Sequence, residues 1–160
     1  MNKINKHAAA LVLASLSMAV SAQVTDDQVR HALQVQSSAY TIHPVCRVDY
    51  LDKQEQQLSG TMERADFATA TAQGEVMAGH VAVCAMQAGD ALPQWADRAG
   101  RLLALSVIAA TRTHGGMTTP KTVASGDRAG VLLDYAAAHG SKHAGEFLTV
   151  LRNSNYQTFN

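Results

Sequence analysis

The chain has 160 residues, 47% of them hydrophobic and only 5% aromatic, with thirteen basic and thirteen acidic side chains. That length supports one hydrophobic core and leaves too little chain for two comfortable domains. Balanced charge provides no field to steer the protein to nucleic acid or to anionic lipid.

Lys3 and Lys6 precede an apolar run over residues 8–20, interrupted only by Ser15 and Ser17. The run is too short to span a bilayer as a helix. Val20-Ser21-Ala22 places a small residue before Gln23 and a compact apolar one two positions earlier, the pattern signal peptidase accepts. Residues 1–22 therefore read as a cleavable secretory signal peptide of bacterial form, cut after Ala22, and the expected address is the periplasm or the medium. An uncleaved anchor helix is the alternative, although no stop-transfer segment or lipidation cysteine follows. Lys3 and Lys6 leave with the signal, so eleven basic residues remain against thirteen acidic, a formal charge of minus two.

Thr25-Asp26-Asp27-Gln28 is a capping box, with Val24 and Val29 at the staple positions, and predicts a first helix to about Ser38. Val29, Leu33 and Ala32 form its apolar stripe. Residues 40–45 are expected to be extended ahead of Pro44. In residues 47–58, Val48, Leu51 and Leu58 fall three and seven apart, which predicts a short amphipathic helix ended by Gly60; a strand over residues 47–51 is the competing reading. Residues 62–88, rich in alanine and free of proline, predict one long helix ended by Gly89. Its small residues permit close approach of neighbours, while Gly74 and Gly79 equally suit a kink.

Pro93 suits a first helical turn, and residues 93–113 close with Arg112 and then Gly115. Leu102, Leu103, Leu105, Val107 and Ile108 cover too wide an arc for a surface helix, so this is the expected central element. Residues 116–123 have loop composition. Ser125 is a candidate cap for a helix through His139, with Gly140 as terminator, and Ser141 for a last helix over residues 142–152. Val131, Leu132, Tyr135, Phe147, Leu148 and Leu151 are the predicted buried faces. The expectation is an all-α fold, a compact bundle of five to six helices with one disulfide, comprising a single domain over 23–152 and a polar, frayed tail over 153–160.

His43 and Cys46 lie three apart, and His80 and Cys84 four apart, a pattern resembling tetrahedral zinc ligation. Export favours joining Cys46 to Cys84 as a disulfide instead. His43, His80, His114 and Met117 remain weak metal candidates, the last two suggesting copper; no cofactor is expected. A Cys84 thiolate activated by His80 is conceivable only if the thiol is free. His139 and His143 are separated by Gly140-Ser141, which argues against a shared metal, and His139 suits the negative end of its helix. Glu63, Glu75 and Glu146 lack any context marking paired catalytic acids, and neither a nucleophile elbow nor a phosphate loop is present. Trp95 is read as core, and the tail residues Tyr156 and Phe159 carry no assignment.

These features point to a non-enzymatic, exported protein-binding module whose partner is another protein of the cell envelope, most simply an inhibitor or immunity protein against an envelope-acting toxin or enzyme. The competing classes are a periplasmic carrier of a small ligand, zinc or copper, and an accessory component of a secretion or conjugation apparatus. Compartment and size carry this reading, not a motif.

Overall fold

A computed structural model describes residues 23–113, 115–116 and 118–157; the expected signal peptide, His114, Met117 and Phe159 lie outside the described residues. Among the described residues six helices follow in order: α1 (Asp26–Ser37), α2 (Val48–Glu63), α3 (Phe67–Ala88), α4 (Leu92–Thr113), α5 (Pro120–Ala138) and α6 (Lys142–Asn153). The chain is all-α, and no strand occurs among the described residues. No described helix is long and apolar enough to cross a membrane.

The first helix starts where its sequence dictates. Thr25 Oγ1 accepts the Gln28 backbone N–H, and Thr25 donates its own backbone N–H to Gln28 Oε1 at 2.9 Å, completing the capping box. Val29, Ala32 and Leu33 enter the core. Tyr135 Oη donates to Asp26 Oδ1 at 2.7 Å and ties this end of α1 to α5.

Residues 47–51 lie in helix and its N-cap, not strand, and Gly60 does not end α2, which runs on to Glu63. An interior glycine costs only about 1 kcal/mol, and Leu58 and Thr61, buried on either side of Gly60, hold the helix together. The chain turns at Ala65, which takes a positive φ of 59°. Asp66 then caps α3 by accepting the Thr69 N–H at 3.2 Å. Met62 and Glu63 therefore close α2 rather than opening α3.

Helices α3 and α4 form the centre, α3 packing on α1, α2 and α4, and α4 on α3, α5 and α6. α3 runs unbroken through Gly74, which lets α4 in. A Cβ there would lie 2.8 Å from Ser106 Cβ and 2.9 Å from the Leu102 carbonyl oxygen. Leu103, Ala104, Val107 and Ala109 of α4 are buried among residues of the surrounding helices, the wide apolar arc expected of it. Trp95 packs partly buried against this core. α2 reaches α4 through long charged side chains: Arg98 pairs with Asp52 and Glu55, and Arg101 with Glu55, while Asp97 braces Arg101 from within α4.

Helix α5 begins at Pro120, five residues before the expected Ser125 cap. Thr119 Oγ1 accepts the Thr122 N–H at 3.1 Å, and Pro120 occupies the first turn, where its missing N–H costs nothing. Ser125 is instead buried within the helix. Ser141 caps α6 as expected, accepting from the Ala144 N–H at 3.2 Å. The tail is not frayed over its described residues. Tyr156 is buried with its ring against Gly126, where no side chain competes for the space.

Candidate functional site

Residues 38–47 join α1 to α2 without regular secondary structure beyond a turn and a bend, and α3 organises them around one histidine. Gly79 lets the segment approach α3: a Cβ there would lie 3.1 Å from the Gln36 carbonyl oxygen and 3.2 Å from Tyr40 Cβ. Tyr40 stacks on the imidazole of His80, with ring centroids 4.4 Å apart and planes 7° from parallel. Tyr50, from the first turn of α2, meets the same ring edge-on at 5.8 Å. His80 itself is fully buried.

Both nitrogens of His80 are satisfied. Nε2 accepts the Val45 backbone N–H at 3.0 Å, so it carries a lone pair; Nδ1 then carries the proton and donates it to Gln54 Oε1 at 2.9 Å. This arrangement requires the neutral ring, and burial holds the His80 pKa below its ordinary value. One turn further along α3, Cys84 is joined to Cys46 by a disulfide, with Cα atoms 5.4 Å apart. The segment between α1 and α2 is thus pinned by ring stacking at Tyr40, by a hydrogen bond at Val45 and covalently at Cys46.

Several apolar side chains on and beside it are exposed. Ile42 is 71% exposed and Val48 63% exposed, with Val45 and Tyr50 also open to solvent. The charged residues between positions 39 and 51 are Arg47 and Asp49, and they neutralise each other in an ion pair of 2.6 Å. Four exposed apolar side chains thus fall within residues 42–50, beside a segment pinned at Tyr40, Val45 and Cys46 and next to a single neutralised ion pair.

The residues singled out by sequence spacing separate under this geometry. Cys46, His80 and Cys84 converge, their ligand atoms all within 4.8 Å of one another. His43 stays outside that group: it is exposed, its Nδ1 3.3 Å from the Pro44 carbonyl oxygen. Cys84 is bonded to Cys46, so the thiolate needed for nucleophilic chemistry beside His80 is tied up. His139 caps the carbonyl end of α5, with Nδ1 2.8 Å from the Tyr135 carbonyl oxygen, while His143 is exposed on α6. Glu63 and Glu146 are exposed.

Glu75 is structural. It pairs with Lys121 at 2.7 Å and accepts from Ser125 Oγ at 3.2 Å. Arg128 donates to Ser125 Oγ and to Gln36 Oε1, so one polar network joins α1, α3 and α5. A groove of about 570 Å³ between α5, α6 and the tail includes Asp127, Asp134 and Arg152 in its lining. Its polar groups are engaged with one another, Arg152 donating to Asp134 and Tyr156 to Asp127.

Sequence spacing missed Tyr40, Tyr50 and Gln54, the partners that make His80 a hub. Gln54 is one of several glutamines and acids on α2, with no local signal. Ile42 and Val45 did carry one, since they flank Pro44 between two helices with no helical period to bury them; Val48, which the spacing put on the apolar face of α2, stands exposed in its first turn. No family model, curated protein or solved structure matches this chain.

Proposed function

We propose that this chain is an exported, non-enzymatic protein-binding module of the bacterial cell envelope, an inhibitor or immunity protein that presents its disulfide-braced α1–α2 segment to a partner protein. The observation that carries the reading is exposure on a pinned support, since Ile42 and Val45 stand open to solvent on the segment held by His80 and by the Cys46–Cys84 bond, with Val48 and Tyr50 exposed beside them in the first turn of α2. Ordering a loop on binding costs about 0.5–1.5 kcal/mol per immobilised side chain, and a loop fixed beforehand avoids part of that cost. The apolar partner surface implied is a pocket or cleft that takes Ile42 and Val48 as anchors. The signal-like residues 1–22 support the envelope as the compartment, and a disulfide suits an oxidising one.

The test uses immobilised, oxidised mature protein to capture envelope proteins, in parallel with Ile42→Asp and Val48→Asp variants of unchanged far-UV circular dichroism. The expected result is a stoichiometric partner retained by the wild-type protein, lost by at least tenfold with either variant, whose own activity falls when it is bound. Equal capture by all three proteins, or a partner whose activity is untouched, overturns the inhibitor reading.

A further inference from the structure

We propose that the brace has a second chemical state: when the Cys46–Cys84 disulfide is reduced, the two thiolates and His80 Nε2 form a three-ligand site for a thiophilic d¹⁰ ion such as zinc. The inference goes beyond the partner-binding reading and does not depend on it. Three features of the molecule carry it.

The first is placement. The two sulfurs and a ring nitrogen of His80 lie within 4.8 Å of one another, and Nε2 is the nitrogen that faces the backbone of Val45, next to Cys46. Tetrahedral zinc with sulfur at about 2.3 Å and nitrogen at about 2.0–2.1 Å needs its ligand atoms roughly 3.5–3.8 Å apart, a difference that ordinary side-chain rotation covers. His80 and Cys84, four residues apart on α3, supply a rigid half of the site, and Cys46, on the connecting segment, supplies the adjustable half.

The second is the tautomer. Zinc binds a neutral imidazole through its lone pair, and such a ligand usually donates its other ring N–H to a fixed acceptor. His80 already has this arrangement: Nδ1–H is held by Gln54 Oε1 at 2.9 Å and the Nε2 lone pair points at the Val45 N–H. Val45 adjoins Cys46, so zinc would have to displace the Val45 N–H from the lone pair, on a segment that reduction frees of its covalent pin and leaves held by Tyr40.

The third is burial. His80 is fully enclosed and Cys84 nearly so, with Tyr40 and Tyr50 against the imidazole. Water is thereby limited around the ligands, and the remaining metal position opens on the Cys46 side.

The chemistry balances with a dithiol as reductant. Thiol–disulfide exchange transfers two electrons and two protons to Cys46 and Cys84, and the reductant leaves as its own disulfide. Zinc then displaces the two thiol protons, while neutral His80 releases none, so binding liberates up to two protons per ion depending on pH.

The experiment titrates mature protein, reduced with a small dithiol and desalted without oxygen, with zinc against a chromophoric chelator, and repeats the titration on oxidised protein. One equivalent is expected to bind the reduced form at least a thousandfold more tightly than the oxidised form. Cobalt(II) in place of zinc should give the intense visible bands of tetrahedral coordination together with a thiolate charge-transfer band. His80→Ala should weaken binding at least a hundredfold. Gln54→Ala, which leaves all three ligands in place, should weaken it about ten- to a hundredfold, and this variant carries the test if His80→Ala fails to fold. Equal zinc affinity of reduced and oxidised protein overturns the proposal, as does reduced His80→Ala or Gln54→Ala protein that binds like the wild type.

Discussion

Removing the Cys46–Cys84 bond is the most informative perturbation of stability, because its size follows from the chain itself. The bond joins residues 38 apart in sequence. Closing a loop of that length lowers the entropy of the unfolded ensemble enough to stabilise the fold by about 4 kcal/mol at 25 °C in the chain-entropy model. Native-state losses are small by comparison. Tyr40 stacking and the Val45 hydrogen bond still tether the segment, and the Cys46→Ala/Cys84→Ala pair leaves no unsatisfied hydroxyl at the buried Cys84 position. A single domain of this size unfolds with an entropy near 2.1 cal/mol/K per residue, so the melting temperature should fall by about 13 °C.

Urea denaturation of oxidised wild-type protein and of the double alanine variant, with a metal chelator present throughout, measures the difference directly. The slope with denaturant should rise in the variant because its unfolded chain is no longer looped. Wild-type protein reduced in the same buffer should follow the variant. A loss below about 1 kcal/mol would sink the entropic argument, and two free thiols in denatured, unreduced protein would remove its premise.

Four other perturbations read different parts of the molecule. His80 is held neutral, with its folded pKa depressed by burial, so its contribution is complete above the unfolded histidine value near 6.5 and is lost as pH falls from there through the folded pKa. The wild-type protein should lose up to about 1.4 kcal/mol per pH unit in that window relative to His80→Gln; a flat difference between pH 7 and 5 refutes the neutral, buried ring. Gly74→Ala pushes a methyl group into the α4 backbone and should cost about 1–3 kcal/mol despite the better helix propensity of alanine. Gly126→Ala meets the Tyr156 ring; its cost should shrink by at least half in a Tyr156→Ala background, and simple additivity would show that the two residues do not share a contact. Thr25→Ala, which removes half of the capping box, should cost about 1 kcal/mol by thermal melting.

The elements that sequence located well are those written in local chemistry. Thr25 and Ser141 cap helices because a hydroxyl reaches an N–H three residues on, and Gly89 and Gly140 end helices because they adopt positive φ freely. The misplaced boundaries arose where local signals competed. Gly60 looked like a stop but was carried through by the burial of Leu58 and Thr61, whereas the real break at Ala65 bears neither glycine nor proline. At α5, Pro120 prevailed over Ser125, whose hydroxyl serves Glu75 on another helix.

The candidate site divides in the same way. Sequence alone supplied the all-α class, the central place of α4, the pairing of Cys46 with Cys84 and the proximity of His80 to Cys84, since each depends on helical period or on residue chemistry at short range. It grouped His43 with them from spacing that no helix enforces, and the folded segment turns His43 away. Tertiary structure alone brought Tyr40, Val45, Tyr50 and Gln54 onto His80, fixed its tautomer and left Ile42 and Val48 outside. These relations depend on where α1 and α2 pack against α3. That packing is a property of the whole core, and no short stretch of sequence encodes it.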